Sequence, residues 1–277
     1  MDTKKFVERE FSKINQIQEL DAGGQKVVYK GVHTDHGNVA LKLILDTDNF
    51  ERTVREIEIV SNYNIPNVPS IYSFDLTSID GNKVIYIVEQ FIEGDTLSTL
   101  LKSSSISEKA AIDYLLQLLQ ICCKLEDISV VHRDIKPANI VIDEDNKLWL
   151  LDFGIARHLD MKSITPTNAY YGPHTLGYAA PEQIDNLKAK IDIRADLFSI
   201  GVLFYEMISG KNPFKENCHN RLDIIRRTKN HSPDQLDLDI EKGEELSRLI
   251  SVMIEKYPSR RPKSAKENVK WLKEIIN

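Results

Sequence analysis

The chain has 277 residues, 42% of them hydrophobic and 28% charged, an ordinary balance for one large globular domain or two tightly packed lobes. Lys and Arg number 36 against 42 Asp and Glu, a formal net charge of −6 with the two signs interspersed along the chain. That excludes a general nucleic-acid binder, which would carry a basic face.

In chain order, the first 91 residues alternate short β-rich runs with turn residues. Val27 to Lys30, Val39 to Leu45 and Val84 to Val88 read as strands, with a hairpin turn over His33 to Asn38. One helix is expected to interrupt them, from about Asn49 to Asn62. Its Phe50, Val54 and Ile57 fall on one stripe, while Glu56 and Val60, four apart, share the adjoining flank.

Beyond Gly94 the character turns helical. Ser107 or Ser105 caps a predicted helix that carries Ile112, Leu115, Leu116, Leu119 and Cys123 on one face. Ile140 to Ile142 and Leu148 to Leu151 are short apolar strands joined by the polar turn Asp143 to Asn146. A further helix, Ala195 to Ser209, is apolar nearly all round and stops at Gly210, which places it at the buried centre of its half. These elements predict an α+β fold with a small β-rich lobe over 1–91, a hinge near Phe91 to Asp95 and a larger, mainly helical lobe over 92–277.

The strongest local pattern is Val131-His132-Arg133-Asp134-Ile135-Lys136-Pro137-Ala138-Asn139, followed by Asp152-Phe153-Gly154 at the end of an apolar strand. Taken singly, Asp134 would pass for a helix cap, Asn139 for a turn residue and Asp152-Phe153-Gly154 for a strand-ending turn. Taken together, in this order and with 18 residues from Asp134 to Asp152, they supply what phosphoryl transfer needs. Asp134 is an oxygen acceptor for a substrate proton, Asn139 and Asp152 are oxygen ligands for magnesium, and Lys136 is a cation for the transferring group.

In these residues the chain resembles the eukaryotic-type (Hanks-type) serine/threonine protein kinase family, and the resemblance runs from about Ile17 to Pro262. It implies a bilobal protein-kinase-like fold that binds ATP with Mg2+ between the lobes. Val39-Ala40-Leu41-Lys42 resembles the third-strand motif, whose lysine holds the α- and β-phosphates. Lys42 is then expected to pair with Glu56. The phosphate-covering loop departs most from the family's G-x-G-x-x-G-x-V. Over Asp21-Ala22-Gly23-Gly24-Gln25-Lys26-Val27-Val28 only Gly23 keeps its register, Gly24 adds freedom, and Asp21 brings a negative charge that Lys26 offsets.

By the same resemblance Val88 is the gatekeeper, and the carbonyl of Glu89 and the N–H of Phe91 bond adenine. Val28, Ala40 and Val141 sandwich the purine. Asp95 stands where either a ribose-binding carboxylate or a helix cap belongs. Thr175-Leu176-Gly177-Tyr178-Ala179-Ala180-Pro181-Glu182 resembles the segment that docks substrate. Glu182 is expected to pair with Arg261, Asp196 to bond the backbone of the catalytic loop, and Phe153, His132, Val60 and Ile71 to stack as an internal spine. Lys136 and Thr175 form the arrangement of serine/threonine rather than tyrosine kinases. Arg133 before Asp134 suggests a loop ordered by phosphate, with Ser163, Thr165 and Thr167 as acceptors for a charge of about −1.5 to −2.

Two other readings share the fold. A pseudokinase scaffold would have lost one of Lys42, Glu56, Asp134, Asn139 or Asp152, and all are present. A small-molecule phosphotransferase, such as an aminoglycoside kinase, generally lacks the Thr175 to Glu182 segment and its closure on Arg261. The expected partner is therefore a protein with a serine or threonine acceptor. As to location, Cys122, Cys123 and Cys218 show no metal-ligand spacing and read as reduced thiols. The N-terminus lacks the apolar core of a signal peptide. Ile200 to Ile208, the longest apolar stretch, is too short to span a bilayer and contains Glu206. A soluble, cytoplasmic protein is expected, without nucleic-acid or membrane partners.

Overall fold

The computed structural model describes residues 2–23, 26–45, 50–103, 106–152, 175–187 and 191–277, apart from the side chains of Arg52 and Glu56. They fall into two compact units, one holding the described residues of 1–64 and 68–93, the other those of 65–67, 94–152 and 175–277.

The first unit is built on a five-stranded antiparallel sheet in the order β1-β2-β3-β5-β4, from β1 (Ile14–Ala22), β2 (Lys26–His33), β3 (Gly37–Ile44), β4 (Ile71–Ile79) and β5 (Asn82–Gln90). The three strands foreseen in the sequence, β2, β3 and β5, are the central ones. The two unforeseen are the edges. β1 buries only Ile14 fully and β4 only Ile79, so neither carries the alternation that marks a half-buried strand.

Register decides which side chains share a face. Val28 lies opposite Lys42, Lys42 opposite Ile87, Ala40 opposite Glu89 and Leu41 opposite Val88. One face therefore carries Val28, Ala40, Lys42 and Glu89, and the other Tyr29, Leu41 and Val88. Against the second face packs a helix that the sequence did not announce, α1 (Thr3–Glu10), capped by Asp2, whose Oδ1 accepts from the Lys5 amide at 3.1 Å. Its Phe6 and Val7 join Tyr29, Val39, Leu41, Leu43 and Val88 in one apolar core. The expected helix, α2 (Phe50–Ser61), sets Phe50, Val54 and Ile57 against Ile44, Ile85 and Ile87.

The second unit opens with a small sheet, β6 (Asp95–Thr96), β7 (Ile140–Ile142) and β8 (Leu148–Leu150), in that order. Gly94 enters it at φ +147, where a Cβ would lie 2.2 Å from the carbonyl oxygen of Ile142, so only glycine passes. Helix α3 (Leu97–Ser103) follows, then α4 (Glu108–Asp127), whose cap is Ser107, the hydroxyl accepting from the Ala110 amide. The expected apolar face of α4 is corrected. Leu115 and Leu119 are buried, but with Ala111, Leu118, Cys122 and Leu125, whereas Ile112, Leu116 and Cys123 are only half-buried. The helix is clasped from two sides, by α6 (Ile193–Ser209) and by α9 (Ala265–Ile276), which broadens and turns its buried face.

The short α5 (Pro181–Ile184) precedes α6, and α7 (Arg221–Asn230) and α8 (Gly243–Met253) lie between α6 and α9. α6 is buried along most of its length, as expected, and begins at Ile193 because the Asp192 side chain caps it. It ends at Gly210, whose φ of 70 closes the helix in the left-handed region. No described helix is long and apolar enough to cross a membrane.

Candidate active site

The second unit carries a loop with unusual backbone. Arg133 has φ 71 and Asp152 φ 57, conformations that non-glycine residues hold only when their surroundings enforce them. Asp196, in the first turn of α6, does much of the enforcing. It is fully buried, and its two carboxylate oxygens accept from the amides of His132 and Arg133, each at 2.7 Å. Burial raises this carboxyl above the usual range, against the downward pull of the His132 and Arg133 side chains and the two amides. His132, also buried, is held at both nitrogens. Nδ1 accepts from the Asp134 amide at 3.3 Å, which leaves Nε2 to donate to the carbonyl of Leu151 at 2.9 Å. The amide of Leu151 in turn donates to the Asn139 carbonyl at 2.8 Å, which ties the strand leading to Asp152 onto the Asp134 to Asn139 loop.

On this frame four side chains converge. Asp134 Oδ1 accepts from the Thr175 hydroxyl at 2.9 Å, and its Oδ2 from Asn139 Nδ2 at 2.9 Å. Lys136 Nζ lies 2.7 Å from that same Oδ2 and donates to the Thr175 hydroxyl at 3.0 Å. Asn139 Nδ2 also donates to the Asp134 carbonyl at 2.9 Å, so both its hydrogens are committed and its amide oxygen is the end turned away. An amide oxygen from Asn139 and a carboxylate from Asp152 are hard oxygen donors of the kind magnesium takes. The donor set thus fits the ion that the sequence motif implies.

The Thr175 to Glu182 segment is fixed from α6 and the Lys215 side chain. Tyr178 donates its hydroxyl to Glu206 Oε2 at 2.5 Å, and Ser199 Oγ donates to the Tyr178 carbonyl at 2.9 Å. Gly177, at φ 92, lets the Lys215 stem pass where a Cβ would lie within 2.6 Å of it, and the Lys215 ammonium sits 4.4 Å over the Tyr178 ring. The Glu182–Arg261 pair forms as expected. Arg261 donates to both carboxylate oxygens, at 2.6 and 2.9 Å, with both side chains nearly fully buried. A residue without any warning in the sequence, Gln183, bridges loop and segment. Its Nε2 donates to the Arg133 carbonyl at 2.9 Å, and its Oε1 accepts from the Ala180 amide at 3.0 Å.

Val141, in the same unit, is buried in β7, and Asp95 is exposed opposite Ile142 in β6; the cap of α3 is Thr96, whose hydroxyl accepts from the Thr99 amide at 3.1 Å, so the helix-cap reading of Asp95 is corrected.

In the first unit, Lys42, Ala40 and Val28 share one face of the sheet, and Gly23 closes the β1–β2 turn by donating its amide to the Lys26 carbonyl at 2.8 Å. Two expectations fail here. Val88 is not on the Lys42 face. Its side chain belongs to the apolar core beneath α1, and the residue beside Lys42 is Glu89, whose Oε1 lies 2.5 Å from Lys42 Nζ. Nor is the Phe91 amide open to a ligand, since it donates to the Asn38 carbonyl at 3.2 Å and continues the β3–β5 ladder, in which Glu89 pairs with Ala40. β5 stands one residue out of step with the expected register, and a period of two turns that slip into the opposite face. The expected Lys42–Glu56 pair, Gly24, Phe153, Gly154, Ser163, Thr165 and Thr167 lie outside the described groups. Of the expected spine, His132 and Val60 are buried and Ile71 is half-buried in their own units.

A fold with an antiparallel five-stranded unit bearing a buried lysine, and a helical unit bearing an Asp–Lys–Asn loop closed by an Asp196 anchor, defines a class. The chain belongs to the protein kinase domain family, whose model matches residues 14–271. Members of that family generally use ATP and Mg2+. The chain is 31% identical over 272 residues to a probable serine/threonine-protein kinase of Clostridium acetobutylicum, covering 94% of this chain and 39% of that protein. It is 33% identical over 209 residues to the probable serine/threonine-protein kinase PknB of Bifidobacterium longum, covering 71% and 30%. To the serine/threonine-protein kinase PknA of Mycobacterium tuberculosis it is 30% identical over 258 residues, covering 90% and 58%. The chain thus spans between about a third and somewhat over half the length of these relatives.

Proposed function

We propose that this chain is a catalytic domain that transfers the γ-phosphoryl group of ATP, with magnesium, to serine or threonine hydroxyls of proteins. The observation that carries the reading is the Asp134–Thr175–Lys136–Asn139 cluster. Asp134 Oδ1 already accepts a bond from a hydroxyl at 2.9 Å, the relation a base must have to the alcohol it activates. The Lys136 ammonium beside it touches both that hydroxyl and the carboxylate, where it meets negative charge arriving on a phosphoryl group. The names carried by the relatives support serine and threonine as acceptors.

Asp134 orients the acceptor hydroxyl and takes its proton as the new O–P bond forms and the bond from the γ-phosphorus to the bridging oxygen breaks, leaving ADP. Lys136 steadies the transferring group. Lys42 holds the nucleotide's phosphates with Gly23, and Val28 and Ala40, on the Lys42 face of the sheet, supply apolar surface for the purine; in the second unit Val141 is the residue that the resemblance assigns to the purine. The register of β5 moves the adenine contacts onto residues of the other parity, the Gln90 carbonyl and the Ile92 N–H. Magnesium held by Asn139 Oδ1 and Asp152 would neutralise charge on the phosphates. A protein partner follows from the same reading, and a cytoplasmic location is proposed with it.

The test is transfer from γ-labelled ATP to the chain itself and to a generic basic protein. Asp134→Ala and Lys42→Ala are each expected to lower the rate by on the order of 10²–10³ with circular dichroism unchanged. Near-normal transfer in either folded variant would overturn that residue's role. Nucleotide binding without any transfer by the unaltered chain would make it a binding module.

A further inference from the structure

Lys42 and Glu89 form an ion pair that no motif announced. Their side chains are 6% and 9% exposed, and Nζ and Oε1 are 2.5 Å apart. Both come from one sheet. Ala40 faces Glu89 and Lys42 faces Ile87, so the two charges are diagonal neighbours on adjacent antiparallel strands, within reach of their long side chains. A carboxylate this deeply buried is costly to hold unless a cation meets it, and the cation it meets is the one assigned to the phosphates. Val88, one residue earlier, packs in the opposite apolar core, so a slip of β5 by one residue would put the charge into that core.

We propose that Glu89 is a positioning residue for Lys42, a counter-ion supplied by the lysine's own sheet that fixes the ammonium before nucleotide arrives. Lys42 is then held at the sheet face by a rigid strand, whatever helix α2 contributes. The role of Lys42 toward phosphates rests on the function proposed above, but the pair itself does not, and the experiment separates the two.

The full chain is treated without nucleotide with the amine-acetylating N-hydroxysuccinimide ester of acetic acid, and Lys42 modification is followed by peptide mass spectrometry. Glu89→Gln should speed acetylation of Lys42 roughly ten- to a hundredfold, the range set by losing one hydrogen bond to a charged group, while the exposed Lys102 and Lys147 keep their rates. Glu89→Asp, which keeps the charge on a shorter arm, should fall between. An unchanged Lys42 rate in folded Glu89→Gln overturns the proposal.

Should Glu89→Gln fail to fold, Lys42→Met, Glu89→Met and the double variant decide it by thermal melting. The double variant should recover much of the midpoint lost by either single change, because it removes both charges of the pair together. Losses that simply add would overturn the pairing. In transfer assays Glu89→Gln should raise KM for ATP more than it lowers kcat. If the chain transfers no phosphate at all, the acetylation and melting results still decide the role of Glu89, and only the proposed function fails.

Discussion

Lys256 carries its ammonium 4.2 Å above the ring of Phe214 and 5.9 Å from that of Phe198, buried and without a hydrogen-bond partner among the described residues. Burial first, and then the nearby Arg261 cation, push its pKa down to about 8 against the lifting effect of Glu255. The unfolded lysine keeps its proton up to about 10.5. Between these values the unfolded state binds more protons, so stability must rise with pH across that window. Urea unfolding at pH 7.5 and pH 9.5 should therefore show the unaltered protein gaining stability relative to Lys256→Met, in which this term is absent. A difference that does not change between the two pH values would mean that the lysine titrates normally. The ring stack of Phe198 on Phe214, with centroids 5.7 Å apart, explains why a cation is tolerated there, since aromatic faces attract it where no oxygen does.

Among the elements, the short helix α5 illustrates how a few residues join distant parts of one unit. Glu182 and Gln183 are neighbours on it, yet one binds Arg261 and the other the Arg133 carbonyl and the Ala180 amide. Arg261 donates further to the carbonyls of Glu255 at 2.7 Å and Arg194 at 2.9 Å, which makes it a hub between α5, the start of α6 and the segment after α8. Removing one member of so buried a pair leaves the other charge uncompensated. Arg261→Met should cost about 3–5 kcal/mol, read as a lowered denaturation midpoint. The double change with Glu182→Met should recover a good part of it. A loss below about 1 kcal/mol would place the pair among surface bridges, contrary to its burial.

For the molecule as a whole, two units with separate apolar cores imply two sources of cooperativity. The core under α1 gathers Phe6, Val7, Tyr29 and the inward side chains of β3 and β5, while the other is built by α4, α6, α8 and α9. Phe6, 5% exposed, is a plug in the first, and Phe6→Ala should remove roughly 3 kcal/mol there by leaving a cavity. In scanning calorimetry the calorimetric enthalpy should exceed the van't Hoff value, and Phe6→Ala should lower the earlier or later component alone. One transition moving as a unit would show that the two cores melt together.

Local patterns by themselves determined the central strands, α2, the capped α4, the apolar α6 and the order of the Lys42, Asp134, Asn139 and Asp152 motifs, because periodicity, caps and short ordered signatures reside in neighbouring residues. The Glu182–Arg261 and Asp196 bonds were legible only through the resemblance. Tertiary structure decided the rest. The edge strands β1 and β4 exist because the sheet pairs them, not because they alternate. Helix α1 holds by two apolar side chains laid on a surface that its own eight residues cannot announce. The face of α4 depends on being clasped from two sides. Above all, whether Val88 or Glu89 stands beside Lys42 turns on a one-residue register between β3 and β5. A strand repeats every two residues, so sequence sees that two faces alternate, but only the pairing of strands tells which face meets the lysine.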